Sequence, residues 1–516
     1  MRDSASVQVP RNVADTLRQA AGRGAERSAL SWQDRSVSWG ELDGAVDALA
    51  RGLRALDLPD SAGYPARVVL ALPNVPQFAE AYFAVLRAGL VAVPVNPGYT
   101  GRELIQVLTD SGAVVLIGTP EVFRAVGAAL PQYRFAVGTA DGVPDLAELA
   151  RPGEPVATTA GGEDLAVLLY TSGTEGSPKG AMLSHRALLA NHTQVARIEP
   201  PVLGPDDVVL LVLPLFHAFG LNSGLGAVAY HGAHGILVER FDPAETLRLI
   251  AAHRVTIVVG VPPMFVAWSL LPDLAGAFGS VRAAISGAAP LDPAAARRFQ
   301  EATGDVLAEG YGLTETAPVL TSTLVSPAHK RGSVGQPIPG VALKLVGAGG
   351  EEILLAEDDF DDLAPGSPGT DPGEIVVSGD NLFSGYWPDR RDGPDEDGWW
   401  ATGDVAYADA DGDLFLVDRL RELILVSGFN VYPYEVEQVL RAHPAVSEAA
   451  VLGDPHPYTG QTVKAYVVTR SAVTVEELIS HCERNLARFK CPTAIEFRPA
   501  LPHSATGKVR KAALRD

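Results

Sequence analysis

The stretch TSGTEGSPKG, Thr171 to Gly180, has the residue types of a loop that wraps phosphate. Glycines at 173, 176 and 180 let the main chain turn its N–H groups toward one point, and Thr171, Ser172 and Thr174 add hydroxyl donors. Lys179 supplies a point positive charge. The apolar run LAVLLY precedes the loop and a helix is expected to begin near Ser184, so strand, loop and helix would aim backbone amides at an anion. The P-loop of the NTPases needs G-x-x-x-x-G-K-[ST]; here Pro178 precedes the lysine and Gly180 follows it. A kinase or GTPase reading therefore fails at its own residues. Glu175 is an odd neighbour for phosphate. Because such a loop grips mainly through main-chain N–H groups, the Glu175 side chain is expected to face solvent.

The elements that must carry this loop are readable from about residue 65 onward. VVLALP (68–73), VAVPVN (91–96), DLAVLLYTSG, VVLLVLPL, GILVE, TIVVGV, VRAAISG and VLAEGYG are short apolar runs that read as buried strands. Helix-period segments such as PQFAEAYFAVLRAG (76–89) lie between several of them, the mark of parallel sheets covered by helices. Asp242-Pro243 and Asp292-Pro293 are helix starts, an N-cap acid followed by proline at the first helical position. Residues 347 to 373, rich in glycine, proline and clustered acids, are expected to form an exposed loop, and their spacing matches no calcium loop. Near residue 418 the pattern becomes a compact α+β unit with helices over 434–442 and 475–489. The expected division is therefore 1–418, a hinge at 419–422, and a small domain over 423–516.

Bulk composition excludes some functions. A chain of 516 residues exceeds one compact core, at roughly 150 residues per domain. A net charge of −21 argues against a broad grip on nucleic acid or anionic lipid, while leaving room for a local anion site. Cys482 and Cys491 have neither metal-ligand spacing nor a paired framework, which points to a reduced, cytoplasmic setting. The N-terminus lacks the apolar core of a secretory signal, and no run approaches the roughly 18 to 20 apolar residues of a membrane span.

From about residue 30 to its end the sequence resembles the adenylate-forming superfamily and, within it, the acyl-CoA ligases. Seven stretches carry the resemblance, in the family's order: TSGTEGSPKG, LPLFHAFG (213–220), ISGAAPL (285–291), EGYGLTET (309–316), GWWATGD (398–404), DRLRELILVSGFNVYPYEVE (418–437) and PHSATGKVRKAAL (502–514). The resemblance implies an α/β fold: a large N-terminal domain of parallel and mixed sheets layered with helices, and a small mobile α+β C-terminal domain. It implies attack of a carboxylate on the α-phosphorus of ATP, loss of pyrophosphate, and displacement of AMP from the acyl-adenylate by the thiol of coenzyme A.

What the resemblance implies for individual residues is specific. Lys508 would bridge the incoming carboxylate and the α-phosphate, neutralising the charge that keeps two anions apart. Glu315 would hold Mg2+ and Thr314 would bond the α-phosphate. ATP would also meet Thr171, Ser172, Gly173, Thr174, Gly176 and Lys179 of the loop, and Glu309, Gly310, Tyr311 and Gly312. Tyr311 would lie against adenine, with Gly287, Ala288, Ala289 and Pro290 on the other side; Asp404 and Arg419 would take the ribose hydroxyls. His217 would stand at the acyl pocket, whereas His185 reads as structural. Ser427 and Gly428 would line the path of the pantetheine arm, and Arg421 would be the hinge. Lysine or aspartate is usual at that hinge, so the arginine puts hinge kinetics in doubt and not function.

Amino-acid-activating relatives place an aspartate after an aromatic near the substrate amine; the matching LFHAFGLN holds no acid. An apolar or aromatic carboxylic acid is therefore expected, fatty acids first, with aryl and terpenoid acids open and scattered residues such as Phe216, Val261 and Ser286 lining the pocket. The competing readings are an acyl-AMP ligase that loads a carrier protein, a light-emitting oxidation, and an idle binder of acyl-nucleotides. Retention of Lys508, Glu315, Thr314 and Asp404 argues against the binder, which needs no charge at a reacting phosphorus.

Overall fold

The apolar runs become strands wherever they are short and bounded. The computed structural model describes residues 10–127, 131–171, 178–304, 307–347, 349–353, 369–419, 422, 424–426, 429–503 and 509–514. Arg67–Ala71, Val91–Pro94 and Ile257–Gly260 are buried along their whole length, as strands covered on both faces must be. Pro76–Ala88 is a helix between two of these strands, ended by Gly89 in the left-handed conformation. Both proline-marked starts are helix N-caps: Asp242 accepts from the Glu245 amide at 2.8 Å and Asp292 from the Ala295 amide at 2.7 Å.

The chain forms two compact units, the first from Met1–His329, Pro337–Ala342 and Ser378–Trp400, the second from Lys330–Gln336, Leu343–Val377 and Ala401–Asp516. The first unit has the expected α/β architecture. In its six-stranded sheet, Tyr133–Ala136, Val115–Gly118, Arg67–Ala71, Val91–Pro94 and Leu165–Thr171 run parallel, and Lys179–Ser184 is added antiparallel at one edge. In its nine-stranded sheet, Leu307–Gly312, Ala283–Ser286, Ile257–Gly260, Val208–Leu211 and His234–Leu237 are successive neighbours, all parallel.

The second unit is α+β. Val446–His456 pairs antiparallel with Gly460–Thr469, which Ala494–Phe497 joins in parallel. Helices Pro433–Arg441 and Val475–Asn485 pack on this sheet through Val436, Leu440, Leu478 and Cys482. The second helix is shorter than the sequence spacing predicts. Leu486 is extended, and Phe489 reaches the core from a separate turn at Arg488–Lys490 that imitates one more helical repeat. Glu352–Ile353, expected within a loop, is a short strand paired with Val341–Val346; residues 354–368 lie outside the described residues.

Candidate active site

Three stretches singled out by their chemistry fall at equivalent places in the nine-stranded sheet. Val208–Leu211 leads into LPLFHAFG, Ala283–Ser286 into Gly287–Pro290, and Leu307–Gly312 into the turn Thr314–Thr316. These strands belong to one parallel set, so their carboxyl ends open on one side of the sheet, where α/β folds bind ligands. The chain order of the stretches has become a row in space.

Details of that row suit a ligand. Ser286 Oγ is buried and has no hydrogen-bond partner among the described residues. Ala288 sits at φ 68°, a left-handed conformation that costs a residue with a Cβ about 1–2 kcal/mol. His217 lies in the turn ahead of a wide helical segment, Phe219–Gly226, and its Nδ1 accepts a long bond (3.4 Å) from the Phe219 amide. The Tyr311 side chain is buried in Leu307–Gly312, whose Gly310 and Tyr311 pair with Ser322 and Thr321. A Cβ at Gly312 would stand 1.7 Å from the Pro318 carbonyl oxygen, so only glycine fits there. Thr316 Oγ1 closes the same turn by donating to that oxygen at 2.7 Å.

Glu309 is set apart electrostatically. Burial pushes its carboxyl up to about 7, against the opposing pull of a hydrogen bond from the Leu291 backbone beside Gly287–Pro290. Because the folded value lies above the unfolded one, the stability it contributes is complete below about 4.5 and is lost as pH rises through about 7. Glu309→Gln should therefore raise stability by about 3 kcal/mol at pH 8 and leave it unchanged at pH 4. Thermal unfolding at the two pH values measures this; an equal shift at both would disprove the assignment.

After Thr171–Gly180 comes a strand that the sequence reading did not include. Lys179–Ser184 is a strand, in register with Leu165–Thr171 from Thr171↔Lys179 to Leu165↔Ser184. The helix His185–Val195 begins where expected, near Ser184, whose Oγ caps it by accepting from the Ala187 amide at 3.1 Å. Leu165–Thr171 and Lys179–Ser184 thus form a β-hairpin, and its second strand stands between Thr171 and the helix N-terminus. The six residues KGAMLS, with only Ala181, Met182 and Leu183 apolar at their centre, are too few for a period to separate strand from helix. Within Thr171–Gly180, Thr171 Oγ1 donates to the Lys179 carbonyl at 3.4 Å, and Lys179 is half-exposed with Nζ 3.4 Å from Asp392 Oδ2. Ser172, Gly173, Thr174, Glu175 and Gly176 lie outside the described residues. His185 is structural: its Nδ1 accepts from the Val13 amide at 3.1 Å, and burial pulls its imidazole down to about 4.

The residues Phe383–Trp387, in NLFSGYWP, were not identified from sequence, and they join the hairpin to the Thr314–Thr316 turn. Ser384 N donates to Met182 O at 2.9 Å, Met182 N to Gly385 O at 3.1 Å, and Trp387 N to Gly180 O at 2.8 Å. Phe383 N donates to the Glu315 carbonyl at 2.8 Å. The Tyr386 hydroxyl donates to Glu315 Oε1 at 2.6 Å, and Lys179 Nζ lies 5.2 Å from the centre of the Tyr386 ring. Glu315 itself is buried. An aromatic cluster flanked by glycine and proline was the available signal, but a partner 71 residues away cannot be read from spacing.

In the second unit, Asp404 is buried in the strand Trp399–Ala408 directly opposite Arg419, so antiparallel register unites two stretches separated in sequence. Gly403 at φ 75° makes the bend before it, and its amide donates to Glu374 Oε1 at 3.0 Å. Arg421, Ser427, Gly428 and Lys508 lie outside the described residues. The residues flanking Lys508 are paired: Arg510 N donates to Pro502 O at 2.7 Å, and His503 bridges Val509. No described helix is long and apolar enough to cross a membrane.

Comparison with known proteins agrees over most of the chain. A family described as "AMP-binding enzyme" matches residues 17–387, and "AMP-binding enzyme C-terminal domain" matches residues 435–508. A long-chain-fatty-acid–CoA ligase of Yersinia pestis is 35% identical over 490 residues, covering 87% of this chain and 85% of that protein. A feruloyl-CoA synthase of an Amycolatopsis species is 37% identical over 486 residues, covering 93% and 94%. The crystal structure of ATP-bound MatB from Rhodopseudomonas palustris superposes with a TM-score of 0.86 at 30% identity, covering 98% of both chains.

Proposed function

The chain belongs to the AMP-binding enzyme family, in its acyl-CoA ligase branch, and on that premise we propose which acid it activates and which residues do the work. It is an AMP-forming acid–thiol ligase. A carboxylate oxygen bonds to the α-phosphorus of ATP as the bond to the β-phosphate oxygen breaks, and pyrophosphate leaves. The coenzyme A sulfur then bonds to the acyl carbon, AMP departs with the electron pair of the broken C–O bond, and the thiol proton goes to solvent. The substrate is a hydrophobic acid, aliphatic or aryl. LFHAFGLN without an acid supports this, as do relatives named for long-chain fatty acids and for ferulate.

The observation that carries the assignment of residues is the row of strand ends bearing His217, Gly287–Pro290 and Thr314–Glu315, tied to the phosphate hairpin through Tyr386. On this reading the hairpin amides and Lys179 hold the phosphates, and Thr314 bonds the α-phosphate. Tyr311 and Gly287–Pro290 enclose adenine beside Glu309. Asp404 and Arg419 take the ribose, and His217 borders the acyl group. Lys508 holds the two reacting anions together, Ser427 and Gly428 flank the pantetheine, and Arg421 is the pivot. Glu315 fits a magnesium ion, because Mg2+ takes one or two carboxylates and fills its shell with phosphate oxygens and water. When bound, the ion supplies neutralisation of phosphate charge. Two free, buried thiols, Cys482 and Cys491, support a reducing, cytoplasmic setting.

The test is acid-dependent exchange of labelled pyrophosphate into ATP across a panel of fatty, aryl and amino acids, followed by addition of coenzyme A or a carrier protein. Exchange driven by hydrophobic acids and thioester formed on coenzyme A are the expected results. Exchange with amino acids alone would overturn the substrate class. Within the phosphate loop, Glu175→Thr should change ATP affinity by less than about tenfold, since main-chain amides do the gripping. A larger gain, measured by calorimetry, would mean that the acid opposes the nucleotide.

A further inference from the structure

We infer that Tyr386 is a positioning residue that holds the Glu315 carboxylate in the orientation that receives the metal–nucleotide, coupling the phosphate hairpin to that carboxylate. The inference rests on the role of Glu315 given above and adds the residue that aims it. A glutamate carboxylate rotates about a broad, two-fold torsion, so a buried one keeps no fixed orientation without a donor. Tyr386 provides that donor at 2.6 Å, in the range of a charge-assisted O–H···O contact. With Oε1 engaged, Oε2 and its lone pairs can face a cation.

The phenol is itself held from both sides. Main-chain bonds from Ser384 and Trp387 fix the segment to the strand after the phosphate loop, and the Phe383 amide fixes it to the Glu315 carbonyl. The Tyr386 amide donates to Arg391 O at 2.8 Å, turning the chain back so that Asp392 reaches Lys179. One ring thus meets the hairpin cation on its face and the proposed metal ligand at its hydroxyl. A tyrosine that only filled space would contact neither.

Binding of Mn2+ in the presence of ATP, followed by the electron paramagnetic resonance of free Mn2+, reads the coupling without turnover. Tyr386→Phe should weaken Mn2+ binding to the protein–ATP complex about tenfold, the loss of one hydrogen bond to a charged group. Metal-free ATP binding should stay within about twofold of wild type. In a Glu315→Gln background the same substitution should have no further effect. Equal Mn2+ affinity in wild type and Y386F, or an undiminished loss in the E315Q background, overturns the inference. If Y386F also loses metal-free ATP binding, 3,5-difluorotyrosine at position 386 replaces it at nearly unchanged shape. At pH 6 its hydroxyl keeps the donor to Glu315 Oε1, so Mn2+ affinity should stay within about threefold of wild type, and a loss as large as that of Y386F overturns the coupling. Pyrophosphate exchange by the wild type, run alongside, tests the reaction separately: its failure would sink the ligase mechanism and leave the Mn2+ data to judge Tyr386.

Discussion

Lys508→Ala should lower acid-dependent pyrophosphate exchange by about 10²- to 10³-fold, the usual loss when one fixed donor to a developing charge is removed. Carboxylate and triphosphate repel, and at about 4 Å two unit charges still interact by several kcal/mol in a partly shielded site. An ammonium placed between them cancels much of that barrier, and no neutral side chain can. The same variant, given preformed acyl-adenylate and coenzyme A, should form thioester within about tenfold of the wild-type rate, because the second step carries no attack on phosphate. Equal loss in both half-reactions would mean that the substitution damaged the fold. Undiminished exchange would remove Lys508 from the chemistry.

Gly312→Ala should be nearly as damaging, for a steric reason. The added methyl would overlap the Pro318 carbonyl oxygen at 1.7 Å and crowd its carbon at 2.7 Å, both backbone atoms that cannot rotate aside. Relief requires the Pro318–Val319 segment to move, and Thr316 Oγ1 is bonded to that oxygen, so the turn bearing Thr314 and Glu315 moves with it. A loss of about 2–4 kcal/mol in stability and at least about 100-fold in exchange is expected. Gly44→Ala is the control, in the helix Trp39–Arg54 with nothing within 4 Å of the added methyl, and should be neutral or stabilising by up to about 1 kcal/mol. Calorimetric unfolding and exchange rates on the pair decide it. A stable, active G312A would show that the turn tolerates displacement.

Much of this architecture was legible because burial on both faces leaves a continuous apolar signature, as in VVLALP and TIVVGV. The proline-marked caps at Asp242 and Asp292 were legible because their chemistry is local. The strand Lys179–Ser184 was missed because six residues carry too little periodicity. Its outer edge is completed by main-chain bonds to residues about two hundred positions later, and main-chain bonding leaves no trace in residue type. Tyr386 was missed for the same reason, since its importance lies in a partner and not in its neighbours.

The late return of Ser378–Trp400 to the first unit also governs how the protein is made. A nascent chain that has emerged only as far as His329 contains the hairpin and Glu315 but not the segment that binds both. Until about seventy more residues leave the ribosome, the strand Lys179–Ser184 has an unpaired edge of the kind that recruits foreign strands. Excising the first unit as one continuous fragment would freeze it in that immature state, so a soluble, nucleotide-binding fragment must carry residues 378–400 back in, by fusion or by co-expression.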